Sequence, residues 1–187
     1  MNQNGYEIER KYLIRRPAAA WLEANCQASD IIQTYLKAEA PGHSDRVRRR
    51  EGKNGVVYTH TVKRRISDLC REEQEREISE AEYLALLRRA DPERRVIEKR
   101  RYVLPYAGRE FEIDVYPFWH NQAFMEIELT SEKEEAELPP EIRVIREVTA
   151  DRRYTNSALA RAIPEEETNL AGERPILETM PERMINP

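Results

Sequence analysis

The stretch Arg46-Val47-Arg48-Arg49-Arg50-Glu51-Gly52-Lys53-Asn54-Gly55-Val56-Val57-Tyr58-Thr59-His60-Thr61-Val62-Lys63-Arg64 decides the fold. Gly52-Lys53-Asn54-Gly55 is a tight-turn signal between runs rich in β-branched residues and charge. The reading is a hairpin of Arg46 to Arg50 and Val56 to Arg64. Residues two apart in a strand point to the same face. Arg46, Arg48 and Arg50 therefore share a face, and Thr59, Thr61 and Lys63 share one on the next strand.

The same alternation recurs outward from this hairpin. Glu7, Glu9 and Lys11 fall together in a strand expected over Tyr6 to Ile14. Glu73, Glu75 and Glu77 do so in Cys70 to Ile78, and Lys99 with Arg101 in Val96 to Leu104. Glu112 and Asp114 share a face in Arg109 to Tyr116, as do Glu126 and Glu128 in Phe124 to Leu129. Ile31 to Leu36 and Arg143 to Val148 also read as extended. The opposite faces carry Ile8, Tyr12, Ile113, Val115, Ile127 and Leu129. One such charged set is what any antiparallel sheet with a face in water shows. Repeated through the chain and in both signs, the sets point to a concave face lined with charge.

Helices are expected over Ala18 to Asn25 and within Asn156 to Ala162. Two more open at capping boxes, Ser79 with Glu82 and Ser131 with Glu134, the second stopping by Pro139-Pro140. About eight strands with few helices predict a mainly β (α+β) fold, a barrel or strongly curved sheet with outer helices. Residues 1–163 read as one domain. From Pro164 to Pro187, Glu165-Glu166-Glu167 and scattered prolines read as a flexible tail or surface arm.

The chain has 187 residues, 35% of them charged, yet 31 basic and 35 acidic residues leave a net charge of only −4. A protein that grips nucleic acid through phosphates shows a basic surplus, so no nucleic-acid partner is expected. Cys26 and Cys70 have no metal-site spacing. No apolar run approaches the ~18 residues of a membrane span, and Met1 to Arg16 lacks the apolar core of a signal peptide. A cytoplasmic protein with no membrane partner is expected. Paired glutamates and aspartates are hard oxygen ligands for Mg²⁺ or Mn²⁺. Arginines and lysines donate to phosphate oxygens. Together they suit a metal–polyphosphate complex. His43, His60 and His120 receive no role.

Glu7-Ile8-Glu9-Arg10-Lys11 resembles the Glu-x-Glu-x-Lys signature of the CYTH superfamily, the triphosphate tunnel metalloenzymes. The order continues through Gln33-Thr34-Tyr35-Leu36, Arg46-Val47-Arg48, Thr61-Val62-Lys63, the Glu73/Glu75/Glu77 strand and Lys99-Arg100-Arg101-Tyr102. It runs on through Phe111 to Val115, Glu126 to Leu129, Glu147-Val148-Thr149 and Asp151-Arg152-Arg153-Tyr154. The resemblance spans roughly residues 4 to 163. It implies an eight-stranded antiparallel barrel forming a triphosphate tunnel. Glu7, Glu9, Asp114, Glu126 and Glu128 would hold Mg²⁺ or Mn²⁺. Lys11, Arg46, Arg48, Lys63, Lys99, Arg101 and Arg153 would grip phosphate oxygens, and Glu73, Glu75 and Glu112 would support them. Glu7, Glu9, Lys11 and Asp114 form the implied catalytic set. Many relatives carry Lys where this chain has Arg152, which puts a substrate contact by Arg152 in doubt.

The implied reaction is hydrolysis of inorganic tripolyphosphate, a small-molecule substrate, to pyrophosphate and phosphate. Alternatives are an adenylate cyclase, with Tyr116, Phe118 or Trp119 stacking on adenine, a thiamine triphosphatase, or a non-catalytic polyphosphate binder. The resemblance is also compatible with a homodimer.

Overall fold

Alternating strands joined by short turns zip into a single antiparallel sheet. The computed structural model describes residues 8–37, 43–65, 71–131 and 133–167, with the side chains of 43, 63–65 and 71–73 left aside. In chain order the elements are β1 (Ile8–Arg15), α1 (Ala19–Asn25), β2 (Gln27–Leu36), β3 (His43–Gly52), β4 (Gly55–Arg65), β5 (Arg71–Ile78) and α2 (Glu80–Leu87). They continue as β6 (Ile97–Tyr106), β7 (Arg109–Val115), β8 (Gln122–Leu129), β9 (Val144–Glu147), a 3₁₀ turn (Arg152–Tyr154) and α3 (Asn156–Leu159). The sheet has nine strands in the order β5-β4-β3-β2-β6-β7-β8-β1-β9.

The mainly β, antiparallel fold with a few outer helices is therefore present. Among the described residues β5 and β9 remain edges, so the hydrogen bonding stays open where a closed eight-strand barrel was implied. The sheet nevertheless curls. Leu13 on β1 and Tyr35 on β2 are four strands apart in the pairing order, which would separate them by about 19 Å in a flat sheet. They share one core cluster with Tyr116, Trp119, Phe124, Tyr154 and Leu159. Those residues, with α3, fill one end of the inner face with aromatic rings. The outer face packs separately. Tyr12, Ile14, Tyr102, Ile113 and Met125 form a core under Leu22 of α1, and Leu36, Val47 and Ile78 pack under Tyr83 of α2.

β3 and β4 pair with Gly52 opposite Gly55 and turn through Lys53-Asn54. Gly55 has φ +110°, a conformation open to glycine and costly for residues with a Cβ. Ser79 caps α2, its side chain accepting from the Glu82 amide at 3.2 Å. The Glu82 carboxylate does not close the box; it pairs with Arg76 across the helix start. The second expected helix, opening at Ser131, does not form among the described residues. The Glu134 carboxylate accepts from the Thr130 amide at 2.6 Å and the Thr130 hydroxyl at 2.7 Å, and it pairs with Arg109. Pro139 and Pro140 further bias the preceding residue away from helix. Ala136 and Leu138 instead pack, outside any helix or strand, on the outer core.

Pro164 to Glu167 are tied to the sheet. Trp119 Nε1 donates to the Pro164 carbonyl at 3.1 Å. Glu166 accepts from the Asn121 amide at 2.9 Å, and the Glu167 carboxylate accepts from Arg146 at 2.8 and 2.9 Å. Residues 168–187 of the expected tail lie outside the described residues, as do Glu7, Cys70 and Glu132.

Candidate functional site

Strand register brings the charged sets together. Across β1 and β8, Lys11 lies opposite Glu126 and Glu9 opposite Glu128. Across β7 and β8, Glu112 lies opposite Glu126, and across β6 and β7, Arg101 lies opposite Asp114. On the other side of the curl Gln33 faces Arg48, Arg48 faces Thr59, Arg46 faces Thr61, and Thr61 faces Glu75. The two groups meet at Ser29, which lies opposite Arg101 and whose Oγ accepts from Arg50 Nε at 3.1 Å.

One wall of this face, on β1, β6, β7 and β8, is a buried ion network. Asp114, with 0% of its surface exposed, accepts from Arg101 Nε and Nη2 at 2.7 Å each and pairs with Lys99. Arg101 Nη2 also reaches Glu126 at 3.1 Å, and Nη1 pairs with Glu112. Lys11 Nζ closes the chain on Glu126 at 2.8 Å and sits 4.1 Å from the centre of the Phe124 ring, a favourable cation–π distance. Burial would raise the Asp114 carboxyl, but the adjacent Lys99 and Arg101 outweigh it and hold it well below the usual carboxylate range. Glu126 is likewise lowered, against burial, first by Lys11. Burial keeps Glu112 raised and pulls the Lys99 ammonium down to about 8.

The facing wall, on β2, β3 and β4, is less completely paired. Thr61, fully buried, donates to Glu75 at 2.6 Å, and Arg46 approaches Glu75 at 3.9 Å. Burial lowers the Arg48 guanidinium, and neighbouring Arg46 adds to this; Arg48 also feels Arg101 and Asp114. Arg48 on β3 and Arg101 on β6 both flank β2, so the cations of the two groups share one face of the sheet.

The face thus carries a matched ion network on one side and less completely paired cations on the other. No family model matches it. An inorganic triphosphatase of Nitrosomonas europaea is 35% identical over 162 residues, covering 84% of this chain and 99% of the relative. The chain belongs to the CYTH family of triphosphate tunnel metalloenzymes. A crystal structure of an inorganic triphosphatase superposes with a TM-score of 0.56 at 30% identity, covering 86% of this chain and 97% of that one. A second crystal structure of the same protein gives 0.58 at 30% identity, covering 85% and 100%.

Within the CYTH frame, the structure draws together Lys11, Lys99, Arg101, Glu112, Asp114 and Glu126 by side-chain contact. Arg46, Arg48 and Glu75 stand on the facing side, while Glu9 and Glu128 lie exposed on β1 and β8 of the first wall. Lys63 and Glu73 are placed by backbone alone, opposite one another on β4 and β5, and Glu7 lies outside the described residues. Arg153 stands apart. It is exposed, pairs with Asp151 at 2.8 Å and lies over the Tyr154 ring. Asp114, expected to reach metal or a bound water, has both its oxygens in contact with Lys99 and Arg101. Tyr116 and Trp119 are core residues, 0% and 1% exposed, so neither is available to stack on a base. Sequence reasoning gave no role to Ser29, Gln33 and Thr149. Thr149 Oγ1 accepts from the Lys11 amide at 3.0 Å, and only the register reveals the other two.

CYTH enzymes depend on metal, and this donor set fits a hard divalent cation. Among the described residues no three acidic, histidine or cysteine groups form a ready cage. Register nevertheless sets Glu9 against Glu128 and Glu112 against Glu126. Like charges directly across a strand pair repel, and a divalent cation between them offsets that repulsion with ligands of the right hardness. No helix among the described residues is long and apolar enough to cross a membrane.

Proposed function

We propose that this chain hydrolyses inorganic tripolyphosphate to pyrophosphate and phosphate with Mg²⁺ or Mn²⁺, in the cytoplasm. The substrate is a small molecule rather than a nucleic acid or a membrane component. One observation supports this above the rest. One face of the sheet carries, in register, both the carboxylates that suit a divalent cation and the cations that suit a polyphosphate. The match over 99% of a named inorganic triphosphatase supports the same reaction class.

Glu9, Glu126 and Glu128 would hold the metal, with Glu7 as the fourth implied ligand and Glu112 close by. The bound ion would neutralise phosphate oxygens and make an attached water more acidic. Lys11, Arg46, Arg48, Lys63, Lys99 and Arg101 hold the phosphate chain in line, and Glu9 orients the attacking water. The water oxygen, its proton passing to the Glu9 carboxylate, bonds to a terminal phosphorus as the bridging P–O bond breaks. Pyrophosphate departs with the electron pair, and basic groups stabilise its new charge. Asp114 acts through others, fixing Lys99 and Arg101 so that no side chain need reorganise during the step.

Product analysis tests this directly. Purified protein with Mg²⁺ or Mn²⁺ is offered tripolyphosphate, ATP and thiamine triphosphate in parallel. Metal-dependent release of phosphate and pyrophosphate from tripolyphosphate is expected, with turnover nearly abolished in a folded Glu9→Gln variant. Cyclic AMP from ATP, or faster cleavage of thiamine triphosphate, would overturn the substrate assignment. Near-normal activity in Glu9→Gln would overturn the metal assignment.

A further inference from the structure

Three buried polar atoms on the less-paired wall lie in one cross-strand row. Gln33 on β2 is opposite Arg48 on β3, and Arg48 is opposite Thr59 on β4. Gln33 Oε1, Arg48 Nε and Thr59 Oγ1 each lack a hydrogen-bond partner among the described residues. Leaving a buried polar atom unpaired is costly, and native chains leave few. Three in one row mark a place built for a ligand rather than scattered packing faults.

The row has a defined chemistry. Gln33 is 1% exposed, and its Nε2 donates to the Tyr35 hydroxyl at 3.0 Å. The orientation of an amide is assigned from its bonds. Turned over, Gln33 takes the Tyr35 O–H on its oxygen and presents N–H to the face. In that state the row offers an amide N–H, a guanidinium N–H and a hydroxyl. All three donate, and one carries charge, which suits a tetrahedral oxyanion. The position is equally defined. Ile97, opposite Gln33 on β6, and Tyr35, two residues along β2, both belong to the aromatic cluster that fills this end of the inner face. A phosphate held here has no room for a chain beyond it.

We infer that Gln33 and Thr59, with Arg48 between them, form the seat of a terminal phosphate at the aromatic end of the inner face. This rests on the triphosphatase reading for its ligand class. Gln33 and Thr59 are positioning residues: they hold the end of the chain and leave the reacting bond to the carboxylate side.

Calorimetry of tripolyphosphate binding to the full chain tests the seat, using Thr59→Val and Gln33→Met, which keep volume and remove the open polar atoms. Each variant is expected to weaken binding about 10–100-fold, the loss of a hydrogen bond to a charged group. The thermal midpoint of Thr59→Val should hold or rise, because the free protein sheds an unsatisfied group. A merely structural threonine would behave the other way, with a lower midpoint and unchanged affinity, and that outcome overturns the seat. So does affinity within about twofold of the parent in both variants. Parent protein that binds tripolyphosphate without cleaving it would defeat the hydrolase reading while the binding data still judge the row. A parent that does not bind it defeats both.

Discussion

On β1, β6, β7 and β8 each inward lysine or arginine already has an acidic partner: Lys11 has Glu126, Lys99 has Asp114, and Arg101 has three carboxylates. Across the curl, Arg48 Nε, Gln33 Oε1 and Thr59 Oγ1 are without partners among the described residues. The same strand alternation built both walls, so composition does not distinguish them. Pairing does. A buried ion network repays desolvation only while every member is matched, so the first wall is rigid and intolerant of loss. The second carries its cost in the free protein and recovers it on binding an anion. A site for a metal-bound polyphosphate gains from having one wall of each kind: a fixed frame, and a surface whose bonds are completed by the substrate.

Removing the centre of the first wall should break this contrast most visibly. Asp114→Ala leaves Lys99 and Arg101 buried without their shared partner, and the expected loss of stability is about 3–5 kcal/mol, read by denaturant unfolding. A loss below about 1 kcal/mol would mean that the network is solvated and that the walls do not differ. On the second wall, Arg48→Met should do the reverse. Burial and the neighbouring Arg46 disfavour the Arg48 charge, so stability should hold or rise, while tripolyphosphate affinity falls about 10–100-fold with the loss of a charge-assisted bond. Equal damage to stability at both positions would erase the distinction.

The smallest effect is in acid. Asp114 and Glu126 have folded-state values below their unfolded ones, so in the folded state they bind protons less readily. Their contribution is present above about pH 4 and is lost as pH falls through the folded values. Glu112 is shifted upward and works in the opposite sense. The net expectation is a fall in stability below about pH 4 that becomes shallower in Asp114→Asn. An unchanged slope in that variant would place the acid lability elsewhere.

Much of the fold could be read from the chain because alternation and turn chemistry are local. The Gly52–Gly55 hairpin and the Ser79 cap are set by residues within a few positions of each other, and both form. β2 begins at Gln27 rather than Ile31 because its first residues gain ladder bonds from β3 and β6 on either side, a tertiary effect that propensity does not carry. The Ser131 helix failed because Glu134 found Thr130 and Arg109 instead, and Arg109 lies on another strand. The site divides in the same way. Which residues line the face follows from period two. Which of them are mutually neutralised, and which stay open, depends on register between strands distant in sequence. Gln33 looks like any strand glutamine until Arg48 and Thr59 are set beside it.

The edge strand β5 carries a further consequence. Its sequence, Arg71-Glu72-Glu73-Gln74-Glu75-Arg76-Glu77-Ile78, is dominated by acids, and β9 at the other edge is only four residues long. Unpaired edges invite a neighbouring molecule to add a strand, and short or charged edges discourage it. Among the described residues both edges of the sheet thus carry a feature that discourages a further strand, charge at β5 and shortness at β9.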